Sequence, residues 1–79
     1  MDERYVTRVV RYGSAGCVCY LREDAVAEIE QQQKPVRMRA LAYVRAADFV
    51  ENRRTGRVLK DRWGRGVPPK TIEGQEQHA

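Results

Sequence analysis

The run RYVTRVVRY, Arg4 to Tyr12, is the feature that most limits what this chain can become. It is dense in β-branched and aromatic residues and holds no helix-start signal, so it reads as a strand. Four residues with the backbone freedom of a turn follow, GSAG at 13–16. CVCYL, Cys17 to Leu21, is a second strand, and the first 21 residues therefore predict an antiparallel hairpin. Neither strand alternates cleanly between apolar and polar residues, which leaves the buried face of the hairpin open.

The character then changes. In EDAVAEIEQQQKP, Asp24 suits an N-cap, Glu23 and Glu28 lie near the positive end of the helix dipole, and Ala25, Val26 and Ile29 make a narrow apolar stripe. Pro35 is expected to end this helix near Gln33, because the residue before proline disfavours helical dihedrals. VRMRALAYVRAADF supports two readings. As a strand it sets Val36, Met38, Ala40, Ala42 and Val44 on one apolar face; as a helix it is favoured by its Ala, Leu, Met and Arg content. We expect a strand in the first half of 36–47, since it would extend the hairpin into a workable sheet. The alternative makes the order helix, turn, helix, basic hairpin. That is a winged-helix-like layout with Arg37, Arg39 and Arg45 turned toward a nucleic-acid groove.

FVENRRTGRVLKDRW, Phe49 to Trp63, reads as a second hairpin, with Gly56 where the loop calls for positive φ. Alternation along its returning strand places Leu59 and Trp63 toward the core, and Lys60 and Arg62 toward water. GRGVPPKTIEGQEQHA carries little apolar material and reads as an extended tail. The expected architecture is a small α+β domain of hairpins and one principal helix, β-β-α-β-β-like, over 1–65, with a flexible tail at 66–79.

Charge narrows the function. The chain carries a net +4, and residues 51–70 hold seven Lys or Arg against two acids, so that one window accounts for the whole excess. Such clustering is an electrostatic footprint for an anionic partner. Catalysis is not expected: the single histidine, His78, is the penultimate residue, and Ser14, the sole serine, sits in a turn without a nearby base. Cys17 and Cys19 lie two apart on one strand, too close for an unstrained mutual disulfide and too few for zinc, and read as small buried hydrophobes. No cofactor or metal is expected. No stretch approaches the apolar length of a signal peptide or membrane span, so the protein is expected in the cytoplasm, away from membranes.

The residues expected to bind are Arg53, Arg54, Arg57, Lys60, Arg62 and Arg65. An antiparallel ribbon with an arginine-bearing tip can lie in a groove and neutralise phosphates, which makes nucleic acid the first expected partner. The second is an acidic or nucleic-acid-binding protein surface, or another copy of the chain paired through exposed strand edges. A small protein of that second kind would suit a phage or mobile element that blocks a host nucleic-acid-handling complex.

Overall fold

The computed structural model describes residues 4–12 and 15–72. Strands β1 (Tyr5–Tyr12) and β2 (Ala15–Arg22) form the N-terminal hairpin, helices α1 (Glu23–Gln31) and α2 (Val36–Ala46) follow, and strands β3 (Phe49–Asn52) and β4 (Val58–Asp61) complete one sheet. All neighbours are antiparallel and the strand order is β1-β2-β3-β4. The architecture is a small α+β domain, with a four-stranded meander interrupted between its middle strands by two helices.

Both helices cover the same face of the sheet. Val6 and Val10 of β1, Cys17, Cys19 and Leu21 of β2 and Val50 of β3 meet Val26 and Ile29 of α1 and Tyr43 of α2 in one core. Ladder pairs such as Val6 with Leu21 and Val10 with Cys17 explain the sharing, because directly opposed residues project to the same side. That registry settles which face of the hairpin is buried. Helix α1 begins one residue before the expected cap: Arg22 occupies the N-cap position and makes no side-chain cap, while Asp24 lies within the first turn. The first helical amide, that of Glu23, is satisfied instead by the Arg4 carbonyl at 2.8 Å.

Residues 36–46 are helix, which corrects the expected strand. Tertiary packing explains the outcome. Pro35 stands at the N-cap position with extended dihedrals, its carbonyl accepts the Arg39 amide at 2.9 Å, and the helix-favouring residues that follow continue from there. Tyr43, with the part-buried Ala40 and Val44, is then carried onto the sheet at helical spacing. The apolar alternation is left unused, and Val36 and Met38 stand 77% and 52% exposed. The two helices and the following hairpin do occur in the order of a winged helix. However, β3 pairs with β2 in the same sheet, so the helices form a layer over strands.

The second hairpin departs from expectation at Leu59. Val50 pairs with Lys60 but Glu51 pairs with Val58, so β4 advances two residues for one on β3 and Leu59 is the extra residue of a bulge. Leu59 is 53% exposed, and it does not anchor the ribbon from below. Trp63 lies beyond β4, half-buried, with its ring edge-to-face on Tyr5 at 5.8 Å between centroids.

From Arg62 the chain leaves one edge of the sheet and reaches the other. Thr71 forms a parallel bridge with Tyr5, and the Ile72 amide donates to the Tyr5 carbonyl at 2.9 Å. This strap crosses one end of the face opposite the helices, where Tyr5 and Phe49 are 3% and 0% exposed. Residues 66–72 of the expected tail thus follow a defined path along the domain; residues 73–79, with His78, and the turn residue Ser14 lie outside the described residues.

Candidate polyanion-binding tip

The loop between β3 and β4 is built by Asn52. Its side-chain Oδ1 accepts the amides of Arg54 at 2.8 Å and Thr55 at 2.9 Å, and its carbonyl accepts the amide of Gly56 at 2.8 Å. The Asn52 amide closes the loop by donating to the Arg57 carbonyl at 2.7 Å. Asparagine does this well because its short amide mimics a backbone carbonyl two residues on. Gly56 takes φ of +76°, a region that a side chain would disfavour. The tip is therefore a hydrogen-bonded turn whose backbone amides are largely spoken for, which directs its side chains outward.

The six residues expected to bind fall into two groups. Arg53, Arg54 and Arg57 are exposed, and their guanidinium groups meet no carboxylate or other acceptor among the described residues. The other three make contacts within the domain. Lys60 Nζ donates to the carbonyls of Val44 at 3.3 Å and Arg45 at 3.0 Å, where the carbonyls of α2 run out, and a cation at a helix C-terminus is favourable. Arg62 pairs with Asp48 at 3.4 Å. The Arg65 guanidinium lies 5.4 Å from the centre of the Trp63 ring, a cation–π geometry. The structure thus brings Arg53, Arg54 and Arg57 together at the crest and spreads Lys60, Arg62 and Arg65 toward the opposite end of β4.

Register adds two arginines to the same end of the molecule. Arg11 pairs with Gly16, and the Gly16 carbonyl accepts the Arg53 amide at 3.0 Å, so Arg11 and Arg53 flank one residue. The N-terminal turn of α2 reaches this end as well, since Arg37, Arg39 and Val36 share a groove with Val9 to Arg11. Arg11 and Arg37 are exposed and have no partner among the described residues. Sequence distance hid them, because residues 11 and 53 meet only through strand registry and residue 37 joins them only through the packing of α2 beside β1.

The acids of the second hairpin and its flanks are occupied. Asp48 accepts from the Tyr5 hydroxyl at 2.6 Å and pairs with Arg62, and Asp61 accepts three backbone amides in the turn after β4. Glu51 accepts from the Tyr20 hydroxyl at 2.7 Å; burial, then that bond, push the Tyr20 phenol up to about 12. At the exposed seam of the helices with β1, Glu30 Oε2 accepts from the Tyr43 hydroxyl at 2.9 Å and from Arg8 Nε at 3.2 Å. The tyrosine hydrogen bond, foremost, and the arginine hold the Glu30 carboxyl below its usual range. Such a carboxylate is a fixed acceptor tying α1, α2 and β1 together, poorly suited to exchange protons near neutral pH.

Both cysteines are buried and unbonded, and burial pushes the Cys19 thiol up to about 11. Among the described residues, no three His, Cys, Asp or Glu side chains converge as a metal site, and no helix is long and apolar enough to cross a membrane. Comparison with family models, with curated proteins and with solved structures finds no match to this chain.

Proposed function

We propose that this chain is a noncatalytic cytoplasmic binding protein that contacts nucleic acid, through its phosphates, with the β3–β4 crest. The observation that carries this reading is the set Arg53, Arg54 and Arg57, three exposed guanidinium groups without an acid partner among the described residues, on a turn that Asn52 holds in shape. Unpaired arginine on a preformed turn is suited to phosphate, since no internal ion pair has to be given up and little backbone freedom is lost on contact. Arg11 and Arg37 at the same end widen the positive surface, whereas Lys60, Arg62 and Arg65 serve mainly to brace β4 and the strap. Trp63 is engaged with Tyr5 and Arg65, so base stacking has no part in this reading.

Fluorescence anisotropy on labelled duplex and single-stranded oligonucleotides, titrated with salt, tests the proposal. Three phosphate contacts on duplex DNA predict a slope of log K against log[salt] of about −2.7, and contacts from Arg11 and Arg37 would take it to about −4.5. Replacing Arg53, Arg54 and Arg57 together by alanine is expected to abolish binding at moderate salt. It should leave the melting temperature almost unchanged, because exposed charges stabilise little. Absence of binding by the parent at low salt, or a flat salt response, defeats the reading.

A further inference from the structure

Strand β1 is an edge strand, and beyond Thr7 no described residue pairs with its outer side. The phase of its hydrogen bonding follows from its two neighbours. On β2, the carbonyls of Gly16 and Tyr20 are directed to the β3 side, accepting from Arg53 and Asp48. Cys17, Cys19 and Leu21 therefore face β1 and bond their partners Val10, Arg8 and Val6. The odd-numbered residues of β1 must face outward, and Tyr5 does so, since its carbonyl accepts the Ile72 amide. Val9 and Arg11 share that phase. Their amides and carbonyls point away from the sheet and have no partner among the described residues.

Alongside this stretch runs a groove of about 480 Å³ between β1 and the start of α2. Its walls are largely apolar, with Val10, Val36, Ala40, Leu41 and Tyr43, and Val9 stands at its lip 55% exposed. Its rim is cationic. Among the described residues Arg11 and Arg37 have no acid partner, and the Nε of Arg39 is buried without an acceptor.

We propose that the outer edge of β1 and the adjoining groove form a docking site for an extended peptide segment of a partner protein, one that alternates apolar with acidic residues. The segment adds to the sheet beyond β1, exchanging hydrogen bonds with Val9 and Arg11. Its apolar side chains enter the groove beneath α2, and its carboxylates meet Arg11 and Arg37. An extended backbone is required because the open groups of Val9 and Arg11 form half a ladder, which a helix cannot complete. The charge of the rim decides against a second copy of this chain. The strand YVTRVVRY has no carboxylate, so self-pairing through β1 would bring Arg11 and Arg37 of two copies together with nothing to neutralise them. The apolar walls favour a peptide over a nucleic acid. The site includes none of Arg53, Arg54 and Arg57, although Arg11 and Arg37 border both surfaces, and the proposal stands whether or not the crest binds phosphates.

The test uses a fluorescein-labelled peptide of alternating valine and glutamate, with a valine–lysine peptide as control, against the full chain. Anisotropy gives the affinity, and amide chemical shifts of isotopically labelled protein locate the site. Binding of the acidic peptide is expected, with shifts centred on Val9, Arg11 and the first turn of α2. Val9→Pro removes an outward amide without touching the β1–β2 ladder, and Arg37→Glu reverses the rim; each should weaken binding about tenfold or more. The Arg53, Arg54 and Arg57 triple-alanine variant should bind the peptide like the parent. The proposal is overturned if the acidic peptide fails to bind, or if the lysine peptide binds as well. Shifts centred on residues 53–57, or unchanged affinity in folded Val9→Pro protein, overturn it too. Should Val9→Pro fail to fold, the shift map of the parent and the Arg37→Glu affinity decide the matter.

Discussion

Asp61 and Gly66 close the turn that follows β4: the carboxylate Oδ2 accepts the Gly66 amide at 2.6 Å, while Oδ1 takes the amides of Trp63 and Gly64 at 3.1 and 2.9 Å. These donors, Gly66 foremost, hold the Asp61 carboxyl below its ordinary value. A group whose folded-state pKa is depressed favours folding above its unfolded value, about 3.9, and loses that contribution as pH falls through the folded value. Acid should therefore loosen the strap below about pH 4, seen as a change in Trp63 fluorescence. Asp61→Asn should flatten that acid response; an identical titration in the variant would show that Asp61 is not its source.

Trp63 gives the strap an apolar contact with the sheet at one end, as Ile72 does at the other. Its edge-to-face packing on Tyr5 is supplemented by Arg65 over the ring. Because the indole is half-buried, Trp63→Ala should cost about 2 kcal/mol by denaturant titration, less than deletion of a fully buried aromatic. Unchanged stability would mean that the strap does not contribute to folding.

Two backbone positions carry residues that fit them poorly. Gly16 lies in β2, and a Cβ there would stand 3.8 Å from Arg53 Cδ, ordinary contact, so Gly16→Ala should stabilise by up to about 1 kcal/mol. Gln33 takes φ of +52° in the turn between the helices, where glycine is favoured, so Gln33→Gly should also stabilise, by roughly 1 kcal/mol. Gly56→Ala should do the reverse, because its φ is +76°. Thermal melts of the three variants check these signs.

Lys60 joins β4 to α2 by donating to the last carbonyls of the helix, and Lys60→Met should cost no more than about 1 kcal/mol, since the site is exposed. Loss of amide-exchange protection in the final turn of α2 would accompany it. Protection equal to the parent's would show that the lysine does not hold that turn.

The thiols of Cys17 and Cys19 are buried at 3% and 0% exposure, and Cys19 is shifted up to about 11. Thiolate is the reactive form, so both should resist an aromatic disulfide reagent in native buffer and react fully in denaturant. Rapid native modification would contradict the burial described here.

The N-terminal hairpin was legible because β-branched residues, a glycine turn and a second short apolar run agree on one answer. Helix α1 was legible for a similar reason, apart from its first residue. Residues 36–46 were not, since alternation and propensity disagree there and the sheet beneath decides between them through Tyr43 and its neighbours. Leu59 escaped because a bulge shifts the face presented by each later residue, and composition carries no mark of it. At the crest, charge clustering located Arg53, Arg54 and Arg57. It could not separate them from Lys60, Arg62 and Arg65, whose partners Arg45, Asp48 and Trp63 include residues far away in sequence.

The bulge at Leu59 leaves the two margins of the sheet unequal. On one side lies β4, four residues long and kinked; on the other lies β1, eight residues long and regular. Kinked short strands are poor templates for another chain. Strand addition is thereby disfavoured on the β4 side. Were the proposed peptide to occupy the β1 margin, the β4 side would offer no template for a further strand, and no fibre would be seeded.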